Sequence, residues 1–393
     1  MLASLALGIT ASAVVEVEDA DYYAKYKDAG ISINVYNWGE YISDGSDDSL
    51  DVNAAFEELT GITVHYSTFA TNEELYAKLK SGGTSYDVII PSDYMITRMI
   101  NEGMLEKLDY ANIPAAKNIA DNFQSNQFDP GAAYSVPYTW GTVGIVYNTD
   151  MVTDPVDSWN ILWDEKYSGN ILMFGNPRDA FGLALLRLGY SINTEDEAQL
   201  RQAADELKKQ KPLVQAYVMD EIFDKMQGNE AALAPYYAGD AYTMIAENDR
   251  LAFAIPKEGT NVFIDALCIP KGSQQKEAAE MYINFMCEAE VAAANIEYIG
   301  YSSPNAAALE LLDEEILSSP IIYPADEIID KAEEFVHLSD QTNKLLDALW
   351  TEIRTNDNNF LNWAMPLVLI VAIAAAFVII SLRKRRKKRQ QLY

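Results

Sequence analysis

Two places in this chain carry side chains suited to chemistry rather than to filling space. The first is NWGEY at 37–41, where Trp38 and Tyr41 flank a glycine just after an alternating strand pattern at 31–36. In open α/β sheets ligands sit in the crevice beyond the carboxyl ends of the strands, and aromatic faces there suit a flat or cationic ligand. The same two rings could equally plug a core. The second is Asp265, an acid between Val262-Phe263-Ile264 and Ala266-Leu267 in an apolar, strand-like run. A carboxylate there is costly without a partner or a ligand. Catalytic patterns are missing: the sequence has no GxSxG elbow, P-loop, GxGxxG fingerprint or HExxH helix. His65 and His337 are the only histidines, so neither a triad nor a multi-histidine metal site is called for. Cys268 and Cys287 lie in apolar periodic stretches and read as buried free thiols. No cofactor, no metal and no enzymatic activity are expected, although 59 acids leave a paired-carboxylate hydrolase open.

Charge narrows the partners. The formal net charge is −30, and the run RKRRKKR at 383–389 hides seven further negatives, so the remainder stands at −30 − 7 = −37. Such a surface repels nucleic acid and attracts cations, though most of these acids serve solubility. Both ends read as membrane signals. Residues 2–15 form a short apolar run with a small-residue Ala11-Ser12-Ala13 site, as in a signal peptide, but without a basic start. Residues 359–382 carry no charge, long enough to cross a bilayer of about 30 Å, and the basic run that follows puts that side in the cytoplasm.

The elements that must position Trp38, Tyr41 and Asp265 follow the strand–helix rhythm of a parallel sheet. Strands are expected at 31–36, 62–66 and 86–90. Helices are expected at 50–60, stopped by Gly61, and from the capping box Thr71-Asn72-Glu73-Glu74 to Gly82-Gly83. Residues 18–30 read as a polar, tyrosine-containing linker. An extended stretch at 134–148 reads as one or two strands able to carry the chain between lobes. The pattern then restarts, with strands at 170–174, 213–218, 231–235, 253–256 and 263–269. Helices are expected at 179–188, 195–209, 276–287, 306–317 and 326–350.

Seven motifs in order (NWGEYI, YDVIIPSDYM, YSVPYTWGTVGIVYN, RDAFGLALLRLGYSINT, YYAGDAY, PKEGTNVFIDALCIPKGS and EYIGYSSPNAAA) resemble the spermidine/putrescine-binding proteins of polyamine ABC importers, over roughly 31–350. The resemblance implies an α/β, two-lobed periplasmic-binding-protein fold of type II, here followed by a single C-terminal transmembrane helix. The implied layout is a signal segment at 1–15, a first lobe at 31–139 and 266–310, and a second lobe at 140–265 and 311–355. The helix at 360–382 and a basic cytoplasmic tail at 383–393 complete it. The family's binding positions fall on Trp38, Tyr41, Ser92, Tyr94, Asp179, Tyr237, Asp240, Phe263, Asp265 and Tyr301. Asn176 stands where spermidine-preferring members often carry a second acid, and Tyr237 where a Trp is usual. A late glutamine contact aligns poorly, near Val336.

The implied ligand fits the residue types. A polyamine is a hydrocarbon with ammonium groups at fixed spacing, charged at pH 7 because amine pKa values lie near about 10. Carboxylates supply charge-assisted hydrogen bonds and rings cover the methylenes. Taken alone, Asp179 reads as a helix cap, Asp240 as a turn residue, and Tyr237 and Phe263 as core. The expected protein is a membrane-anchored, monomeric receptor outside the cytoplasm, working with an ABC permease and ATPase and leaning to putrescine or mixed specificity. The alternatives are a receptor for an amino acid or sugar, or an acidic surface hydrolase.

Overall fold

In a computed structural model of the chain, the described residues are 15–355, without 84 and 125. The two membrane signals, at 1–14 and across 360–393, lie outside them. Among the described residues no helix is long and apolar enough to cross a membrane.

Ten strands build one continuous sheet: β1 Ser32–Trp38, β2 Thr63–Phe69, β3 Val88–Ile89, β4 Ser135–Asn148, β5 Ile171–Phe174, β6 Val214–Val218, β7 Leu233–Tyr237, β8 Leu251–Ala254, β9 Asn261–Cys268 and β10 Glu333–Glu334. Its path is β2-β1-β3-β9-β4-β7-β5-β6, with β8 on β4 and β10 on β9. β1 pairs in parallel with both β2 and β3, and β5 with both β6 and β7, as strand–helix–strand units require. Between these two parallel blocks run β4 and β9, antiparallel to each other from Ser135↔Cys268 to Thr142↔Val262. β4 is one strand of 14 residues, about 46 Å at the usual rise, and is buried at all but two positions. It reaches from the first block into the second, where β7 and β8 take over its pairing. The fold is thus α/β and two-lobed, with two shared strands as the crossing.

Local chemistry explains the helices. α2 (Val52–Thr60) starts where the Asp51 carboxylate accepts from the Ala54 N–H and ends at left-handed Gly61. α3 (Asn72–Ser81) uses Thr71 as expected, and the Glu74 carboxylate returns to the Ala70 N–H at 3.0 Å. α4 (Asp93–Asn101) has no counterpart in the sequence reading. It buries Met95, Ile96 and Met99 with Leu75 of α3, under Tyr36, Ile89, Ile264 and Cys268 of the sheet. Each such fully buried side chain contributes about 1.5–3 kcal/mol. In the second lobe α5 (Pro177–Leu188) packs on β5 and against α6 (Glu197–Gln210), while α8 (Ala238–Glu247) follows β7 and packs against α7 (Ile222–Gln227).

Three expectations fail, one of them the helix at 306–317, which is helical only at Ala306–Leu309 and Glu314–Leu317. Residues 18–30 are not a linker: a short helix, Ala20–Tyr23, docks them on the first lobe. Tyr23 is fully buried, donates to Glu288 Oε1 at 2.7 Å, accepts from Asn284 Nδ2 at 2.6 Å, and meets Phe285 edge-on. Only one residue of the segment faces inward, so no periodicity announced it. The helix expected at 326–350 is also interrupted. Asp326–Ile329 is helical, but Glu333–Glu334 joins β9 as β10 before the helix Asp340–Thr355 begins. Both cysteines are buried free thiols, as expected.

Candidate functional site

The carboxyl ends of β1, β3, β6 and β7 and the middle of β9 surround one cavity. All ten positions expected from sequence line it: Trp38, Tyr41, Ser92, Tyr94, Asp179, Tyr237, Asp240, Phe263, Asp265 and Tyr301. They come from segments up to 263 residues apart (301 − 38), so the fold alone assembles them. The lining also holds Glu73, Asp93 and Asp220, giving six carboxylates and no Lys, Arg or His.

Asp265 projects from β9 opposite Thr139 of β4 and also bridges to Ser92. Its side chain is buried, with 4% of its surface exposed. The Tyr41 hydroxyl donates to its Oδ2 at 2.7 Å and is also bonded to the Thr139 hydroxyl. Its Oδ1 is buried without a hydrogen-bond partner. Burial raises the Asp265 carboxyl from 3.8 to about 6, against the opposing hydroxyls of Ser92 and Tyr41. No protein cation offsets the charge.

Asp179 lies in the first turn of α5, but it is not the cap. Asn176 caps that helix: its Oδ1 accepts from the Asp179 N–H at 2.9 Å while its Nδ2 donates to Asp179 Oδ2 at 2.6 Å. Tyr237 donates to the same oxygen at 2.7 Å. Burial raises the Asp179 carboxyl; Tyr237, Asn176 and the charge of Arg178 oppose the rise. Asp240 is not a turn residue either. It sits buried in the first turn of α8, where the helix dipole favours a negative charge, and desolvation still pushes it well up. The preceding Gly239 is required by space: a Cβ there would come within 2.2 Å of the Tyr301 ring.

Rings form the walls. Tyr41 meets Tyr301 edge-on at 4.8 Å, Tyr301 meets Phe263 at 6.2 Å, and Phe263 meets Tyr237 at 5.4 Å. Trp38 packs on Phe69 at 4.5 Å, and its buried Nε1–H has no acceptor. Tyr237 and Phe263 are therefore shared between core and cavity. Burial pushes the hydroxyls of Tyr41, Tyr94, Tyr237 and Tyr301 well above their ordinary range, with nearby acids adding to it. They remain donors at any physiological pH. The acids are close enough for their charges to act on one another: Glu73 and Asp265 both feel Asp179, and Asp240 feels Asp265 and Asp220.

Three of these acids were missed. Glu73 was read as part of the capping box, but Glu74 performs that task and Glu73 accepts from the Tyr94 hydroxyl at 3.0 Å. Asp93 ties α4 to β9, accepting from the Tyr94 N–H at 2.6 Å and the Ile264 N–H at 3.3 Å. Asp220 follows the carboxyl end of β6, so the crevice rule applied to Trp38 would have found it. Phe335, beside the poorly aligned Val336, also lines the cavity. Among the described residues no three His, Cys, Asp or Glu side chains gather so as to hold a metal ion. The arrangement suits an elongated organic cation whose charges are spaced apart.

Known proteins resemble this chain in sequence and fold. The family model described as bacterial extracellular solute-binding protein matches residues 84–331. The spermidine/putrescine-binding periplasmic protein of Escherichia coli is 36% identical over 313 residues, 79% of this chain and 88% of that one. A solved structure from Listeria monocytogenes is 39% identical with a TM-score of 0.79, covering 82% of this chain and 99% of the other. The spermidine/putrescine ABC transporter substrate-binding protein PotD from Streptococcus pneumoniae is 38% identical with a TM-score of 0.69, covering 83% and 99%. These relatives bind solutes and are not enzymes, which removes the hydrolase reading.

Proposed function

This chain belongs to the bacterial extracellular solute-binding proteins, and from that premise we propose that it is the polyamine receptor of an ABC importer. It would collect putrescine or spermidine outside the cytoplasm and deliver it to permease and ATPase subunits. The observation that carries this reading is Asp265: a buried carboxylate with one oxygen unpartnered, in a cavity with six acids, a wall of rings and no protein cation. Carboxylates at intervals match ammonium groups at intervals, and the rings match the methylenes between them. The E. coli relative's name, spermidine/putrescine-binding periplasmic protein, supports the same ligand class and compartment. An amino acid would bring a carboxylate of its own, which six acids disfavour.

The ten expected residues are proposed as the binding set. The lobe boundaries at 139/140 and 265/266 are kept as proposed, since Thr139 and Asp265 face each other in the shared ladder. The chain is proposed to be anchored by 360–382, with 383–393 in the cytoplasm, because no charge interrupts that stretch and seven basic residues follow it. The test of function is titration calorimetry on the full chain in detergent, with putrescine, spermidine, glutamate and glucose. Saturable heat from at least one amine and none from the others is expected. Silence to both amines refutes the reading.

A further inference from the structure

Four of the cavity's acids are dressed by phenols: Glu73 by Tyr94, Asp179 by Tyr237, Asp265 by Tyr41, and Asp240 by Tyr301. Asp93 is held by the backbone N–H groups of Tyr94 and Ile264, which leaves Asp220 as the exception. Its carboxylate makes no hydrogen bond or ion pair among the described residues, and it is exposed while still lining the cavity, which places it at the solvent end. It is also the acid that reaches across. Asp220 follows β6 of the second lobe, and Gly39 follows β1 of the first. A Cβ on Gly39 would lie 2.3 Å from Asp220 Oδ2, so the carboxylate occupies the space that a side chain at position 39 would fill. Gly39 does not have a left-handed backbone, so conformation alone does not demand glycine there. Clearance for Asp220 does. Beyond Asp220 lies Glu40, and no Lys, Arg or His lines the cavity to neutralise either acid.

We propose that Asp220 is a specificity-determining carboxylate, admitted by Gly39, that takes the outermost ammonium of a triamine and so favours a triamine over a diamine. The inference rests on the polyamine reading and extends it. Asp265, with its unpartnered oxygen, anchors one ammonium in the buried part of the cavity, where Asp179 and Asp240 are also buried and form part of the lining. A diamine has two charges and is satisfied by neighbouring acids among these. A third ammonium, several methylenes further on, needs an acid nearer solvent. Asp220 lies next to Asp240 on that side, and burial together with the charges of Glu221 and Glu40 raises its carboxyl, which a cation would relieve.

The test uses the full chain and reads a ratio, the affinity for spermidine divided by that for putrescine. Asp220→Asn keeps the volume at an exposed position, so folding is preserved. The ratio is expected to fall about five- to ten-fold, as for one charge-assisted bond at a partly solvated position. Gly39→Ala, which displaces the same carboxylate, is expected to lower the ratio as well. In the double variant the two effects should be less than additive, because both act on one group. A ratio within two-fold of wild type in a folded Asp220→Asn variant overturns the assignment, as does an equal loss for both amines. If the unaltered chain binds neither amine, the polyamine reading itself fails, and that result is distinct.

Discussion

Replacing Asp265 by Asn alters one proton's worth of charge at a buried acid of the cavity, and two consequences of opposite sign follow. Binding should suffer. An ammonium on Oδ1 loses a charge-assisted hydrogen bond of about 1.5–3 kcal/mol, or about 10- to 150-fold in Kd. Stability of the ligand-free protein should move the other way. The carboxyl has a folded value of about 6 against 3.8 in water, so holding it ionised costs about 3 kcal/mol. With the group almost wholly buried, solvent screening does little to reduce that figure. The sign is that of an acid raised on folding: the native state binds more protons than the unfolded one between pH 3.8 and 6. The wild type therefore pays this penalty fully above pH 6 and not below 3.8. Asn carries no such penalty, although its amide leaves an N–H unpaired near the Oδ1 position, returning about 1–3 kcal/mol. The pH contrast removes that constant. Urea denaturation of both proteins should show the stability difference shifting by about 2.5 kcal/mol in favour of Asn between pH 4 and pH 7.5. Calorimetry at pH 7.5 should show weakened amine binding. A folded variant with unchanged affinity, or a stability difference flat in pH, refutes the assignment of Asp265 as the ionised amine anchor.

Three further outcomes can be measured. Because Asp179, Asp240 and Asp265 are all raised and an ammonium favours their charged forms, affinity for either amine should climb as pH rises through 6; a flat profile from pH 5 to 7.5 contradicts this. Tyr23→Ala should cost about 3–5 kcal/mol in urea denaturation, as for a large ring removed from a core, and leave amine affinity in the folded fraction unchanged. Protease applied to intact cells should release a soluble ectodomain and protect a short basic stub from 383–393; cleavage of that tail from outside contradicts the anchor orientation.

The order of the strands in the sheet was not legible. The strands themselves, other than β10, were legible along the chain because alternation and apolar runs are local signals, as at Ile33 and Val35 or in the buried stretch that became β4. Asp265 was legible for the same reason, as an acid out of place in such a run. The cap at Thr71 announced itself through side-chain chemistry at a fixed offset and the stop at Gly61 through its backbone, whereas the cap at Asp51 went unread. What stayed hidden was long-range. The capping-box offset singles out Glu74 but says nothing of Glu73, whose role appears only when Tyr94 arrives beside it. Tyr23 looked like one polar-segment tyrosine among three until Phe285, Glu288 and Asn284 closed over it. A fragment starting at residue 31 would discard it. Asp220 and Gly39 lie 181 residues apart (220 − 39), and neither has meaning without the other.

Thr139 and Asp265 face each other near the midpoint of the only two strands that both halves of the sheet share, where the β4 register shifts between Pro137 and Thr139. When one rigid lobe turns against another, atoms at the pivot hardly move and atoms on the long lever arm move most. If the lobes turn about the shared strands β4 and β9, Asp179 and Asp240, carried on α5 and α8, ride on the arm, whereas Asp265 stays at the pivot. An ammonium seated on Asp265 keeps its grip through the whole swing, while contacts further out form and break with it. Unloading is then a peeling from the ends inward, and the last bond to let go is the one least able to sense whether the jaws are open.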